Sequence, residues 1–173
     1  MRTTLLLLSL FLLGSCEKLF TWDKFVLPKT QYNGTQLRVD GYYYMSEDGI
    51  YRRTYCFYRN GCLLEMGSSS KTSLKETDAH IKREYLDRND HSSQKEYWGL
   101  FVIEDNTIRF EHYIMNQGLR KEAYIWEGTI LNDSTFHITS SHRSNGSDRT
   151  ERNEMYHFRQ FSPKPDSTNN FIK

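Results

Sequence analysis

The residues that could do chemistry are few and scattered. Cysteines stand at 16, 56 and 62, with no CxxC pair and no metal-type spacing among them. Glu111 and His112 are neighbours in an alternating segment, so their side chains leave a strand on opposite faces. No two histidines stand at i, i+2 on one such segment, and no carboxylates cluster with them, which argues against a metal site. Serines are plentiful, but no nucleophile elbow surrounds any of them. Glu104, Glu111 and Glu127 have no evident partner for paired acid–base work. Asp87-Arg88-Asn89-Asp90 reads as a solvated helix end, and no glycine-rich loop could cradle a phosphate. The chain is therefore expected to be no enzyme, with no catalytic residues, no metal and no cofactor.

Cys16 is the exception, because of what precedes it. Arg2 gives a positive start, Leu5 to Leu13 is apolar except for Ser9, and Gly14 and Ser15 are small. This charged, apolar, small-residue order is that of an export signal, and the stretch is far short of the roughly 20 residues that span a bilayer. Leu13-Gly14-Ser15-Cys16 resembles the bacterial lipobox, whose cysteine receives a diacylglyceryl group on sulfur before cleavage and N-acylation. The resemblance implies a signal peptide over 1–15 and a mature chain that begins at lipidated Cys16. No other segment could span a membrane, so the acyl chains of Cys16 are the expected membrane partner. Each buried methylene contributes about 0.8 kcal/mol, and two or more chains hold stably. The expected location is the bacterial cell envelope, anchored in the outer membrane.

The 173-residue chain has a formal net charge of +1, which implies no general attraction to nucleic acid. Lys and Arg are scattered among acids, so the aromatics make no nucleic-acid platform. Residues 16–34 form a lipid-anchored tether whose Phe20, Trp22, Phe25 and Leu27 are expected to dock on a domain spanning 35–161. That domain is rich in Tyr, Phe, Ile and Thr, which suit strands. Alternation predicts strands near 36–45, 50–58, 62–67, 97–104, 107–114, 120–131, 135–143 and 150–161. They are separated by turns at Glu47-Asp48-Gly49, Asn60-Gly61, Asp105-Asn106, Asn116-Gln117-Gly118, Asn132-Asp133-Ser134 and Ser144 to Asp148. Leu74, Ile81 and Tyr85 recur at helical spacing and predict a helix near 73–87. The tail 162–173, with Pro163 and Pro165, is expected to be exposed and flexible. The expected fold is all-β: an eight-stranded antiparallel up-and-down barrel with one helix between the third and fourth strands. A sandwich of two sheets is the structural rival.

Turn geometry assigns faces. Across Asp105-Asn106, Ile103 faces Ile108, Phe101 faces Phe110 and Gly99 faces His112, an apolar face that points inward. Across Asn132-Asp133-Ser134, Ile130 faces Phe136, Gly128 faces Ile138, Trp126 faces Ser140 and Tyr124 faces His142. Across Glu47-Asp48-Gly49, Tyr43 faces Arg53 and Gly41 faces Tyr55. The expected anatomy is an apolar base and a polar, aromatic mouth, formed by Tyr43, Arg53, His112, Tyr124, Trp126 and His142 and lidded by the helix. Two readings stand: polar groups satisfied by one another at a barrel rim, or a small-ligand site. A two-residue turn at Asn60-Gly61 puts Cys56 and Cys62 on opposite faces as free thiols; a five-residue loop would place them opposite each other, where a disulfide could form.

The lipobox, Val39-Asp40-Gly41-Tyr42-Tyr43, Phe57-Tyr58-Arg59-Asn60-Gly61 and Gly128 through Phe136 together resemble the small lipoproteins with lipocalin-like (calycin) barrels found in Bacteroidetes. Gly41-Tyr42-Tyr43 stands where lipocalins carry Gly-x-Trp. Asp133-Ser134-Thr135 and Asp166-Ser167-Thr168 look like O-glycosylation acceptors of that bacterial group, with Ser167 preferred. Two functions follow as expectations. One is an anchored barrel that binds a small apolar or aromatic ligand. The other is an envelope protein–protein interaction module, an inhibitor or accessory subunit with a filled barrel, whose contact patch would be the outward Trp98, Leu100 and Val102.

Overall fold

Residues 21–88, 91–114 and 120–172 are described by the computed structural model, the side chains of 68–71 excepted. The expected signal segment 1–15, Cys16, Phe20 of the expected tether and the turn Asn116-Gln117-Gly118 lie outside them. The alternating segments close into one barrel of β2 (Gly41–Glu47), β3 (Ile50–Phe57), β4 (Cys62–Lys71), β5 (Trp98–Glu104), β6 (Thr107–Tyr113), β8 (Ala123–Asn132), β9 (Thr135–Arg143) and β10 (Thr150–Gln160). Every neighbouring pair is antiparallel, and β10 meets β2 to complete the ring. The short β1 (Thr21–Trp22) and β7 (Arg120–Lys121) pair in parallel as a separate ribbon. One α-helix, α1 (Leu74–Ile81), is present among the described residues and continues as a π-helix, Lys82–Asp87. In chain order it follows β4, because β1 precedes the barrel strands.

Aromatic side chains fill the lower barrel. Phe57, Phe101, Phe110 and Phe136 are all buried, with ring centroids 5.0 Å apart for Phe57–Phe101 and 6.0 Å for Phe57–Phe136. Tyr156 stacks on Phe136 at 4.8 Å. The base is closed by the segment before β2: the Leu37 amide donates to Tyr32 Oη at 2.7 Å, and Tyr43 Oη donates to Asp133 O at 2.7 Å.

A second apolar layer lies outside the wall. Trp98, Leu100 and Val102 do point outward, but they are not an exposed patch: they are buried in a cluster with Leu27, Phe25, Phe161 and Ile172. The tail, expected to be loose, is part of that cover. Lys164 Nζ donates to Val39 O and Phe57 O at 2.7 and 2.8 Å, and Tyr58 Oη donates to Pro165 O at 3.0 Å. An apolar stripe on a barrel exterior must be covered, and the two chain ends supply the cover.

The tether is held by one carboxylate. Glu111 leaves β6 outward and is fully buried. It accepts from the amides of Val26 and Leu27, at 2.9 and 2.8 Å, and from Ser144 Oγ. Asp23 adds an outer lock, accepting from Arg143 Nε and Nη2 at 3.0 and 2.9 Å. The helix is fixed to the opposite wall by Asp78, which accepts from Tyr42 Oη and Arg159 Nε at 2.8 and 2.9 Å.

Three hairpins depart from the expected registers. In β2–β3 the two-residue turn Asp48-Gly49 has both residues at positive φ, and a bulge near Ser46 moves the pairing: Tyr43 faces Tyr55 rather than Arg53. In β3–β4, Tyr58 and Cys62 flank a three-residue loop with Gly61 at φ 81°, so Cys56 faces Leu64. Cys56 and Cys62 therefore share the outer face, both buried and both free. In β8–β9 a bulge between Glu127 and Gly128 pairs Trp126 with Ser141 and Ile125 with His142, which turns His142 outward. The β5–β6 hairpin has the expected pairs throughout.

Glu111→Ala should lower unfolding free energy by on the order of 3 kcal/mol and expose the Val26 and Leu27 amides to hydrogen exchange, since three donors, the buried Leu27 amide among them, lose a charged acceptor. Unchanged protection would show that the tether is held elsewhere. Burial raises the Glu111 carboxyl above its ordinary range, and bonds from Ser144, Leu27 and Val26 only partly offset this. A raised folded-state pKa favours folding fully below the unfolded value of about 4.3, and that contribution is lost as pH rises through the folded value. The stability of the wild type relative to Glu111→Gln should thus fall as pH rises above about 4 in urea titrations; a constant or rising difference contradicts the assignment.

Candidate functional site

The aromatic fill stops short of one end of the barrel. There the inward positions of β3, β4, β6 and β8 become Arg53, Glu65, His112 and Trp126. Above them is a cavity of about 470 Å³, within the range of small-molecule sites. Its other wall is the connection between β4 and β5, which contributes His80, Tyr85, His91 and Tyr97, and Arg152 of β10 closes the side.

His112 is the pivot of the floor. Gly99 stands opposite it, and a Cβ at that position would come within 2.1 Å of Glu111 O and 2.9 Å of His112 Cβ, so only glycine lets β5 approach β6 this closely beside the histidine. The ring stacks on Trp126 with centroids 4.1 Å apart and an interplanar angle of 5°. Nδ1 lies 2.9 Å from Tyr113 O, which can only accept, so Nδ1 carries a proton. Nε2 is 3.1 Å from Tyr55 Oη. Glu65 Oε2 is also 2.9 Å from Nδ1, but that oxygen has no hydrogen-bond partner among the described residues. Burial raises the Tyr55 hydroxyl well above its ordinary value, and the Glu65 charge adds to this, so Tyr55 stays a donor.

Arg53 is the second fixed charge. Burial opposes its ionisation, but the Glu154 and Glu65 carboxylates beside it favour the charged form, and the guanidinium stays protonated. Its Nη1 is 3.6 Å from Glu154 Oε2, beyond hydrogen-bond range, and has no hydrogen-bond partner among the described residues. Trp126 Nε1 likewise has none. Glu154 is shared, because Arg152 Nη1 also lies 3.6 Å from it. In the far wall, His91 stands between Tyr85 and Tyr97, with centroids at 5.1 and 4.9 Å. The π-helix sets Tyr85, and such irregular turns recur at binding sites.

Of the six mouth residues read from the sequence, Arg53, His112 and Trp126 line the cavity. Tyr124 packs against Trp126 at 6.2 Å without lining it. Tyr43 is at the base, moved there by the β2–β3 bulge, and His142 is on the outer face, 3.7 Å from Glu127. Glu65, His80, His91, Tyr97 and Arg152 were not legible as site residues. Glu65 depended on the β3–β4 loop length, Arg152 on a bulge in β10, and the others on how a long connection folds back. Ser167 is half-buried in the docked tail, whereas the Ser134 hydroxyl donates to Asn132 and Asp133 in its turn. No group of three or more potential metal ligands occurs among the described residues.

The chain matches no family model, and no curated protein or solved structure is significantly similar to it.

Tyr55→Phe removes the hydroxyl at His112 Nε2 and should cost about 1–3 kcal/mol in urea unfolding, the size of a lost buried hydrogen bond. A change below about 0.5 kcal/mol would show that the imidazole is held by Tyr113 and Trp126 alone.

Proposed function

We propose that this protein is a lipid-anchored envelope protein whose lipocalin-like, up-and-down barrel binds a small molecule at its mouth. The observation that supports the reading most is the cavity: an eight-stranded barrel can be filled to its rim, yet here the aromatic fill gives way to fixed polar groups around about 470 Å³ of space. A merely structural rim would pair its donors, and Arg53 Nη1 and Trp126 Nε1 are unpaired among the described residues. The interaction-module reading loses its main support, since Trp98, Leu100 and Val102 are covered by the tether and tail. Anchoring through Cys16 rests on the lipobox and the export signal before it. Ser167 is the proposed glycan acceptor, because the Ser134 hydroxyl is already engaged.

Two experiments test the two halves. Cys16→Ser should abolish palmitate labelling and release the protein from membranes; a mutant that still labels and pellets refutes the anchor. Native mass spectrometry of the mature chain against a lipid and metabolite panel should show a one-to-one adduct that changes Trp fluorescence. Failure of every compound to bind would remove the ligand reading.

A further inference from the structure

Among the described residues, the permanently charged groups that remain accessible in the cavity share one sign. Arg53 and Arg152 are half-exposed and permanently cationic, and the half-exposed His80 and His91 stand in the same lining. Among the described residues the one carboxylate in the lining, Glu65, is only 6% exposed and lies against His112. Glu154 flanks the two guanidiniums from the side, but at 3.6 Å it makes a hydrogen bond to neither, and its Oε2 already accepts from Tyr156 Oη at 3.0 Å. Arg152 is oriented by a bond from its Nε to Ser141 Oγ at 2.9 Å, a residue that the β8–β9 bulge turns inward. Two guanidiniums thus share one carboxylate and keep donors for another acceptor. A compact oxyanion satisfies such a pair better than a neutral group does, because charge-assisted bonds are about twice as strong as neutral ones. The space is far larger than an inorganic ion needs, and Tyr97, His91 and Ile114 also line it.

We propose that the mouth takes a small organic anion, its carboxylate or equivalent oxyanion between Arg53 and Arg152 and its ring or short apolar part against Tyr97 and His91. The inference rests on the ligand-binding reading above and names its chemical class. It also revises the expected ligand, from apolar to amphipathic and anionic.

The test uses matched probes on the mature chain: benzoate, phenylacetate and 3-phenylpropionate, each with its neutral amide and with the corresponding amine, measured by calorimetry and by ligand-observed NMR. At least one acid should bind tenfold or more tightly than its amide, and the amines should not bind. Arg152→Gln, at a half-exposed position where folding is not at stake, should weaken the acid at least threefold and leave the amide unchanged; Arg53→Met should abolish the preference. Amides or amines that bind as tightly as acids overturn the anionic class while leaving the mouth a ligand site. Inorganic phosphate that competes with the acids at equal affinity overturns the organic part. Absence of binding by every probe, with no protein chemical-shift change at Trp126, overturns both the class and the site.

Discussion

The width of an eight-stranded barrel governs this molecule. Eight strands enclose a space that side chains can just fill, so each inward position must either pack or stay open to solvent or ligand. Phe57, Phe101, Phe110 and Phe136 pack, and with Tyr32, Leu37 and Tyr43 they seal the lower half. One rung further up, Arg53, Glu65 and His112 are too polar to pack dry, and Gly99 withholds a side chain opposite the imidazole. The cavity is the direct result of that change in residue type along the same inward rows.

The exterior is governed by the complementary constraint. The strands carry apolar residues on both faces over much of β4 and β5, as Leu64, Met66, Trp98 and Leu100 show. A barrel of this size cannot expose them, so the chain covers itself with its own ends. Glu111 and Asp23 hold the tether, Lys164 and Tyr58 hold the tail, and Asp78 holds the helix. The tether that runs back toward Cys16 is therefore part of the folded body from Thr21 onward. If Cys16 carries the anchor, only a short segment separates the membrane from a rigid domain.

Much of the fold was legible because period-two alternation and strong turn signals agree in the β5–β6 hairpin. There Asp105-Asn106 sets a two-residue loop, and the inward row Ile103, Phe101, Gly99 meets Ile108, Phe110, His112 as read. What the sequence did not disclose was where one residue is added. The bulge after Glu127 turns His142 out and Ser141 in, and the bulge near Ser46 carries Tyr43 to the base. A single inserted residue inverts every face beyond it, and nothing in local propensity marks the place. The floor of the site was therefore half visible, through Arg53, His112 and Trp126. The wall of His80, His91 and Tyr97 comes from a connection whose path is set by tertiary contacts, chiefly Asp78 with Tyr42 and Arg159.

The central claim is that the barrel is packed at its base and functional at its mouth, and NMR of the labelled mature chain tests it most directly. During titration with an aryl carboxylate, the indole Nε1–H of Trp126, the Nε–H of Arg53 and the ring protons of His91 and Tyr97 should shift together and saturate. The methyl signals of Ile108, Ile130 and Ile138 in the base should stay fixed. Shifts confined to the outer surface, or to the base, would contradict the account.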